Sequence, residues 1–201
     1  MTSNPKIDFF DGIAEKWDGW QDSALQQKLA AGLDEFGMSA DEHVFDVGCG
    51  TGNLTIAILK KLSSKGRVFA IDISQRMIDI ARGKIDDARV SWLLEDVQRS
   101  SVADAACDRV ICYSVWPHFD NRRMAALDLL RVLKPGGSLH IWHRVSREKM
   151  NAMHAAASEA VSRDILPPVE ETADLLATVG FKIAAAHESD SRYLIIAIKP
   201  E

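Results

Sequence analysis

Cysteine is scarce in this chain and shows no pairing pattern. Only Cys49, Cys107 and Cys112 occur in 201 residues, with no C-x-x-C and no even framework. That excludes a disulfide-stapled scaffold and suggests a reducing compartment. Long apolar runs are also missing: no stretch approaches the ~20 residues that cross a bilayer. The opening Met-Thr-Ser-Asn-Pro-Lys begins no signal-type segment. Clusters of lysine and arginine are absent and the formal net charge is -5. Phosphate binding needs a basic patch, so a nucleic-acid partner is not expected. Repeats, low-complexity tracts and long linkers are lacking too. What remains, 47% hydrophobic and 26% charged residues, is an ordinary soluble composition. The length suits one domain, 1–201, in the cytoplasm, with no membrane partner; oligomeric state is not fixed.

Against this plain background stands Val44-Phe-Asp-Val-Gly-Cys-Gly-Thr-Gly-Asn53. An apolar run ends in glycines at 48, 50 and 52, and Leu54, Ile58, Leu59 and Leu62 then follow at helical spacing. This is strand, tight turn, helix. Glycine permits the sharp turn and lets a ligand approach where a Cβ would collide. The helix start adds unpaired N–H groups. The dinucleotide fingerprint is G-x-G-x-x-G with a pyrophosphate at the helix N-terminus. Here the third glycine comes one residue early and Asp46 precedes the first. A carboxylate repels a pyrophosphate, so a cationic or zwitterionic ligand suits this turn better.

Residues 1–40 read as helical, with Phe9, Phe10, Ile13 and Trp17 on one face and Leu25, Leu29 and Leu33 after them. Strands and helices then alternate over 41–201. Strands are expected at 44–47, 67–72, 90–94, 109–114 and 138–145, with helices at 52–63, 74–82, 122–133, 147–161 and 170–179. Residues 181–188 and 192–199 close as an antiparallel pair. Such alternation implies a doubly wound α/β fold. Its sheet has seven mostly parallel strands with the last antiparallel, helices on both faces, and ligands at the strands' carboxyl ends.

Three acids end successive strands: Asp46, Asp72 and Asp96. An acid about 20 residues past a glycine turn accepts hydrogen bonds from ribose hydroxyls, which suits Asp72.

The D-V-G-C-G-T-G loop resembles that of class I (Rossmann-like) S-adenosylmethionine (SAM)-dependent methyltransferases. The closing hairpin and Leu133-Lys-Pro-Gly-Gly137, a turn before the fifth strand, resemble the same family. Phe9-Phe10-Asp11-x-x-Ala14-x-x-Trp17-Asp18 looks like the N-terminal lid of the ubiquinone/menaquinone group, covering 1–40. The resemblance implies SAM as cofactor. It places the amino-acid moiety at Asp46, Gly48, Cys49, Gly50, Gly52 and Asn53, and the ribose at Asp72. Adenine then lies against Ile73 and Met77, with its amino group at Asp96 beside the Val97 N–H. Trp17 and Tyr113 complete the cofactor side, although Trp17 and Phe10 also read as packing residues.

Methyl transfer from a sulfonium needs alignment and, for a protonated nucleophile, a base. The fourth strand runs into Tyr113-Ser-Val-Trp-Pro-His-Phe119, without the Asn/Asp-Pro-Pro-aromatic sequence of many amino-methylating enzymes. His118 reads as a base or as a loop-packing histidine. His143 ends the fifth strand, and Arg147, Asn151 and His154 share a face of the next helix. Three readings stay open for this second cluster: a polar or anionic substrate pocket, a metal site using the histidines, or plain surface. No metal is assigned. None of the cysteines has an adjacent base. The reading is a SAM-dependent methyltransferase acting on an O, N, C or S nucleophile of a small molecule, with His118, His143, Arg147 and His154 on the substrate side. The rivals are a SAM-binding regulatory domain without turnover and a nicotinamide oxidoreductase.

Overall fold

The computed structural model describes residues 4–201. Residues 1–3, where the expected lid begins, lie outside the described residues. The chain divides into two compact units, Met1–Asp96 and Val97–Glu201. The first holds α1 (Pro5–Trp17), a 3-10 turn (Asp18–Trp20), α2 (Leu25–Glu35), β1 (His43–Val47), α3 (Asn53–Leu59), β2 (Arg67–Asp72), α4 (Gln75–Lys84) and β3 (Val90–Leu94). The second holds a 3-10 turn (Val97–Arg99), β4 (Cys107–Tyr113), a 3-10 turn (Trp116–His118), α5 (Arg122–Val132), β5 (Leu133–His143), α6 (Arg147–Ala156), α7 (Val169–Thr178), β6 (Lys182–Ser189) and β7 (Arg192–Ile198). The strand order is β3-β2-β1-β4-β5-β7-β6.

In the first unit β1 pairs parallel with β2, and β2 with β3. Val44, Phe45 and Val47 of β1 and Val68, Ala70 and Ile71 of β2 are all buried. Continuous apolar runs of this kind belong to parallel strands covered on both faces. In the second unit β4 pairs parallel with β5, while β7 runs antiparallel to both β5 and β6. The expected seven-stranded sheet with its last strand reversed is therefore present.

Helix starts follow their capping residues. The Asn4, Ser74, Asn121 and Ser146 side chains accept from Lys6 N, Met77 N, Met124 N and Lys149 N. Helix ends depart from the periodicity. α3 stops at Leu59 rather than at 63, because Lys61 N and Leu62 N both turn back to the Ile58 carbonyl and Ser63 N bonds Ala40 O at 2.7 Å. α6 stops at Ala156 rather than 161, where Ala157 leaves helical geometry with ψ −91°.

β5 begins at Leu133, earlier than the expected 138. Leu133 pairs with Cys107 and Ser138 with Arg109, so the intervening Lys134-Pro-Gly-Gly137 bulges out. A Cβ on Gly137 would lie 2.9 Å from Lys134 O and 3.0 Å from Asp108 O. The strand ends at His143 because Ser146 already caps the next helix.

Candidate active site

The glycine turn lies in the first unit and is held by main chain. Gly48 N and Cys49 N both donate to Ile71 O, at 2.9 and 3.0 Å, and Gly52 N donates to Cys49 O at 2.9 Å. All three glycines have positive φ: 67° at Gly48, 52° at Gly50 and 83° at Gly52. Their reasons differ. A Cβ on Gly50 would meet only the Trp17 indole nitrogen, at an ordinary 3.8 Å. A Cβ on Gly52 would lie 2.8 Å from Ile85 Cδ1 and 3.2 Å from Ala81 Cβ. Gly52 is thus dictated by packing of the turn against α4, and Gly50 by backbone conformation beside Trp17.

Asp72 ends β2 and clasps this turn. One carboxylate oxygen accepts from Gly50 N at 2.8 Å and the other from Ser74 N at 2.9 Å. A carboxylate has about four lone-pair sites, so Asp72 can accept more than these two bonds. Asp46 is 1% exposed and accepts from Thr55 Oγ1 at 2.6 Å. Burial, with the Asp72 charge adding to it, pushes its carboxyl up to about 7. A cation placed beside it would reverse that cost.

The N-terminal helix is bonded to the turn and to α4. Asp18 Oδ1 accepts from Thr51 Oγ1 at 2.6 Å and from Asn53 Nδ2 at 2.9 Å, and Asp18 Oδ2 from Lys84 Nζ at 2.7 Å. Asp11 accepts from Ser74 Oγ at 2.5 Å and from Arg76 N at 3.1 Å. Trp17 makes edge contacts with Phe10 and Trp20, at 6.3 and 6.4 Å. Neither Asp11 nor Asp18 figured among the sequence-derived site residues. An acid in an exposed helix carries no sequence signal of its distant partner.

Of the remaining residues expected on the cofactor side, Ile73 is half-buried and Asp96 exposed. Met77 is buried in the core, with its N–H on the Ser74 cap. Cys49 is buried and its thiol is pushed well up by burial, then by the Asp72 and Asp46 charges. Val97 and Tyr113 belong to the second unit. Val97 is buried, and the Tyr113 ring lies 4.9 Å from that of Trp142.

The second unit gathers three of its histidines. His118, at the end of its 3-10 turn, places Nδ1 2.7 Å from Asp164 Oδ2. His154 of α6 places Nδ1 2.5 Å from the Asp164 carbonyl oxygen. The two imidazoles lie 4.7 Å apart, tilted by 46°. His143 ends β5 fully buried, edge-on to Tyr193 at 5.6 Å. Burial, followed by the charges of His118 and His154, lowers its pKa to about 3. A carbonyl only accepts, so His154 carries its proton on Nδ1. A carboxylate oxygen accepts in the same way, which places the His118 proton on Nδ1.

The polar stripe on α6 does more structural work than its composition suggests. Asn151 grips the main chain of Leu166 twice: its Nδ2 donates to the carbonyl at 3.1 Å and its Oδ1 accepts from the N–H at 2.7 Å. Arg147 donates to Glu188 and Glu148, both at 2.7 Å, and is not brought into the histidine cluster. Arg122 ties the His118 loop to the Asp164 loop, donating to Pro117 O at 3.2 Å and Ile165 O at 2.6 Å. Among the described residues no group of three or more His, Cys, Asp or Glu is disposed to hold a metal ion. Ser114, where β4 ends, has φ 56°, a strained backbone that sequence reading missed.

Residues 44–137 match the family model described as a methyltransferase domain. The malonyl-[acyl-carrier protein] O-methyltransferase of Hahella chejuensis is 36% identical over 151 residues, covering 69% of this chain and 54% of that protein. The demethylmenaquinone methyltransferase of Lactiplantibacillus plantarum is 31% identical over 106 residues, covering 51% and 45%. The chain thus spans about half the length of these curated relatives. A SAM-dependent methyltransferase structure from Aquifex aeolicus shares the fold, with a TM-score of 0.73 at 20% identity over 98% of this chain and 99% of that one. Residues 44–137 thus match a methyltransferase domain, and the glycine turn, strand order and relatives are those of the class I SAM-dependent methyltransferases, whose cofactor is SAM.

Proposed function

We propose that this protein transfers the methyl group of SAM to a nucleophilic atom of a small molecule. The observation that carries the small-molecule reading is the burial of the histidine cluster. His143 is fully enclosed, and the side chains of His118 and Asp164 are only 13% and 9% exposed. A broad macromolecular surface does not reach such groups, which leaves a small acceptor or a slender carrier-borne group as the partner that fits. The names of the relatives supply one acceptor of each kind, a demethylmenaquinone and a malonyl group on a carrier protein.

In this reading Asp46, Gly48, Gly50 and Asp72 hold the cofactor, with Trp17 and Asn53 beside the turn. Bound SAM supplies an electrophilic methyl on a sulfonium. The reaction is an in-line displacement, so the protein aligns the acceptor and removes its proton where it has one. His118, oriented by a carboxylate, suits that second task.

Calorimetry against SAM and NADH, together with methyl-labelled SAM incubated with a fractionated cell extract, tests the reading. SAM binding is expected, with label passing into the small-molecule fraction and lost in His118→Ala. Binding of NADH but not SAM overturns it. SAM binding without any methyl release points instead to a regulatory domain.

A further inference from the structure

The two edge strands of the sheet, β3 and β6, are finished differently. The pairing of β6 is interrupted by a bulge between Ile183 and Ala185, and Lys182 and Glu188 place charge along it. Devices of this kind keep an edge from pairing with another chain. β3 has neither. Val90-Ser-Trp-Leu-Leu94 pairs with β2 in unbroken register, carries no charge, proline or glycine, and none of its five residues is buried. Leu94 is 47% exposed. Arg89 O accepts from Val68 N at 2.9 Å and Glu95 N donates to Asp72 O at 3.1 Å, so the main-chain groups of alternate residues 89, 91, 93 and 95 turn towards β2. Those of Trp92 and Leu94, with the Val90 carbonyl, turn outward from the sheet.

We infer that β3 is a dimerisation edge, pairing antiparallel with β3 of a second copy of this chain about a twofold axis at Trp92. The strand is complementary to itself in that register. Trp92 exchanges both main-chain bonds with Trp92 of the second copy, and each Leu94 N–H donates to the Val90 carbonyl across the axis. Val90, Trp92 and Leu94 share one face of the strand, so the two copies join their apolar rows into one strip with the indoles side by side. Ser91 lies opposite Leu93, and no like charges are brought together.

Charge complementarity at the ends of the pair points to a second copy as the occupant. The same register sets Arg89 opposite Glu95, twice over because of the axis. Arg89 gives Nε and one Nη2 hydrogen to Asp87, and both Nη1 hydrogens to the Leu62 and Ser63 carbonyls. A guanidinium has five such hydrogens, so one on Nη2 is left to meet Glu95 across the axis. An isologous contact closes at two chains, and the bulged, charged β6 does not extend the sheet further. A single pair of five-residue strands is a small contact, so the dimer forms reversibly and with concentration. The inference is independent of the methyl-transfer reading.

The test is sedimentation velocity of the full chain over a concentration series. The mass is expected to rise from the 22.2 kDa of one chain towards twice that value. Trp92→Lys sets two like charges on the axis and is expected to stay at the single-chain mass throughout, with an unchanged far-ultraviolet circular dichroism spectrum. If that variant does not fold, the register is read by cross-linking. Ser91→Cys and Leu93→Cys chains, mixed and oxidised, are expected to give the disulfide-linked mixed dimer, since a non-hydrogen-bonded pair has its Cα atoms about 4.5 Å apart. Either chain oxidised alone is expected to link far less, and the three native cysteines are all buried. A single-chain mass at the highest soluble concentration overturns the inference and leaves this edge to a strand of a different protein. So do a mass that climbs past two chains, a dimer that Trp92→Lys leaves intact, or Ser91→Cys linking to itself as readily as to Leu93→Cys.

Discussion

Asp46 is where one residue has most to say about pH. Its carboxyl is raised from 3.8 to about 7, by burial first and the Asp72 charge next. The sign follows from linkage. The unfolded chain loses this proton near 3.8 while the folded chain keeps it to about 7, so stability falls as pH rises between those values and is flat above them. At 1.36 kcal/mol per pH unit the cost reaches up to about 4 kcal/mol. Asp46→Asn keeps an acceptor for Thr55 Oγ1 and has nothing to ionise. The SAM-free variant is expected to melt higher than the unaltered protein at pH 8, with the difference vanishing near pH 4. Cofactor binding should run the other way. An ammonium group needs the carboxylate, so SAM affinity rises towards pH 7 and levels off, and the variant loses that rise. Scanning calorimetry and titration at four pH values check both slopes.

Among elements, the glycine turn and the Asn151 clamp make two sharp comparisons. Gly52→Ala puts a Cβ 2.8 Å from Ile85 Cδ1 at a φ of 83°. It is expected to lose the ~1–2 kcal/mol of a left-handed residue together with roughly 1–3 kcal/mol of overpacking. Gly50→Ala meets only ordinary contact at 3.8 Å. It should lose the conformational part alone, yet weaken SAM binding more, because it adds a methyl group to the turn proposed to hold the cofactor. Urea melts and cofactor titrations of the pair separate packing from binding. Asn151→Ala removes both bonds to Leu166 and is expected to cost about 1–3 kcal/mol. It should also loosen the segment carrying Asp164, read as faster amide exchange at Leu166.

These elements also mark how far the sequence could be read. The strand–turn–helix at 44–59 and the reversed last strand were legible because local periodicity and turn chemistry fix them. The spacing of Asp72 from the turn placed it correctly at a strand end. The partners of Asn151, Arg147 and Gly52 were not legible. Leu166, Glu188 and Ile85 are set by tertiary packing, which no local pattern records. Of the stripe that looked ready to read a ligand, Asn151 is a clamp and Arg147 an ion pair, while His154 joins the histidine cluster. The buried His143, whose ring nitrogens have no hydrogen-bond partner among the described residues, was beyond reach too, since a missing hydrogen bond leaves no trace in the residue type.

At the scale of the whole molecule the two kinds of chemistry proposed fall in different halves of the chain. Apart from Val97 and Tyr113, every residue proposed for the cofactor lies in Met1–Asp96, and every one proposed for the acceptor lies in Val97–Glu201. Binding and transfer should therefore separate by mutation. Asp72→Ala deletes the acceptor of Gly50 N and Ser74 N as well as the proposed ribose site. It is expected to weaken SAM binding by tenfold or more, the range of a lost charge-assisted hydrogen bond. His118→Ala and His143→Ala remove no bond of the first unit. They are expected to keep SAM affinity within about twofold while methyl release falls by ~10²-fold or more, the usual scale of a lost general base. His143→Ala also removes an unpaired buried group at the expense of a cavity, so its thermal stability, measured alongside, should fall by less than the ~3 kcal/mol or more typical of truncating a well-bonded buried ring. If His118→Ala instead weakens SAM binding as much as Asp72→Ala does, the histidine cluster belongs to the cofactor site. The assignment of acceptor chemistry to the second unit then fails.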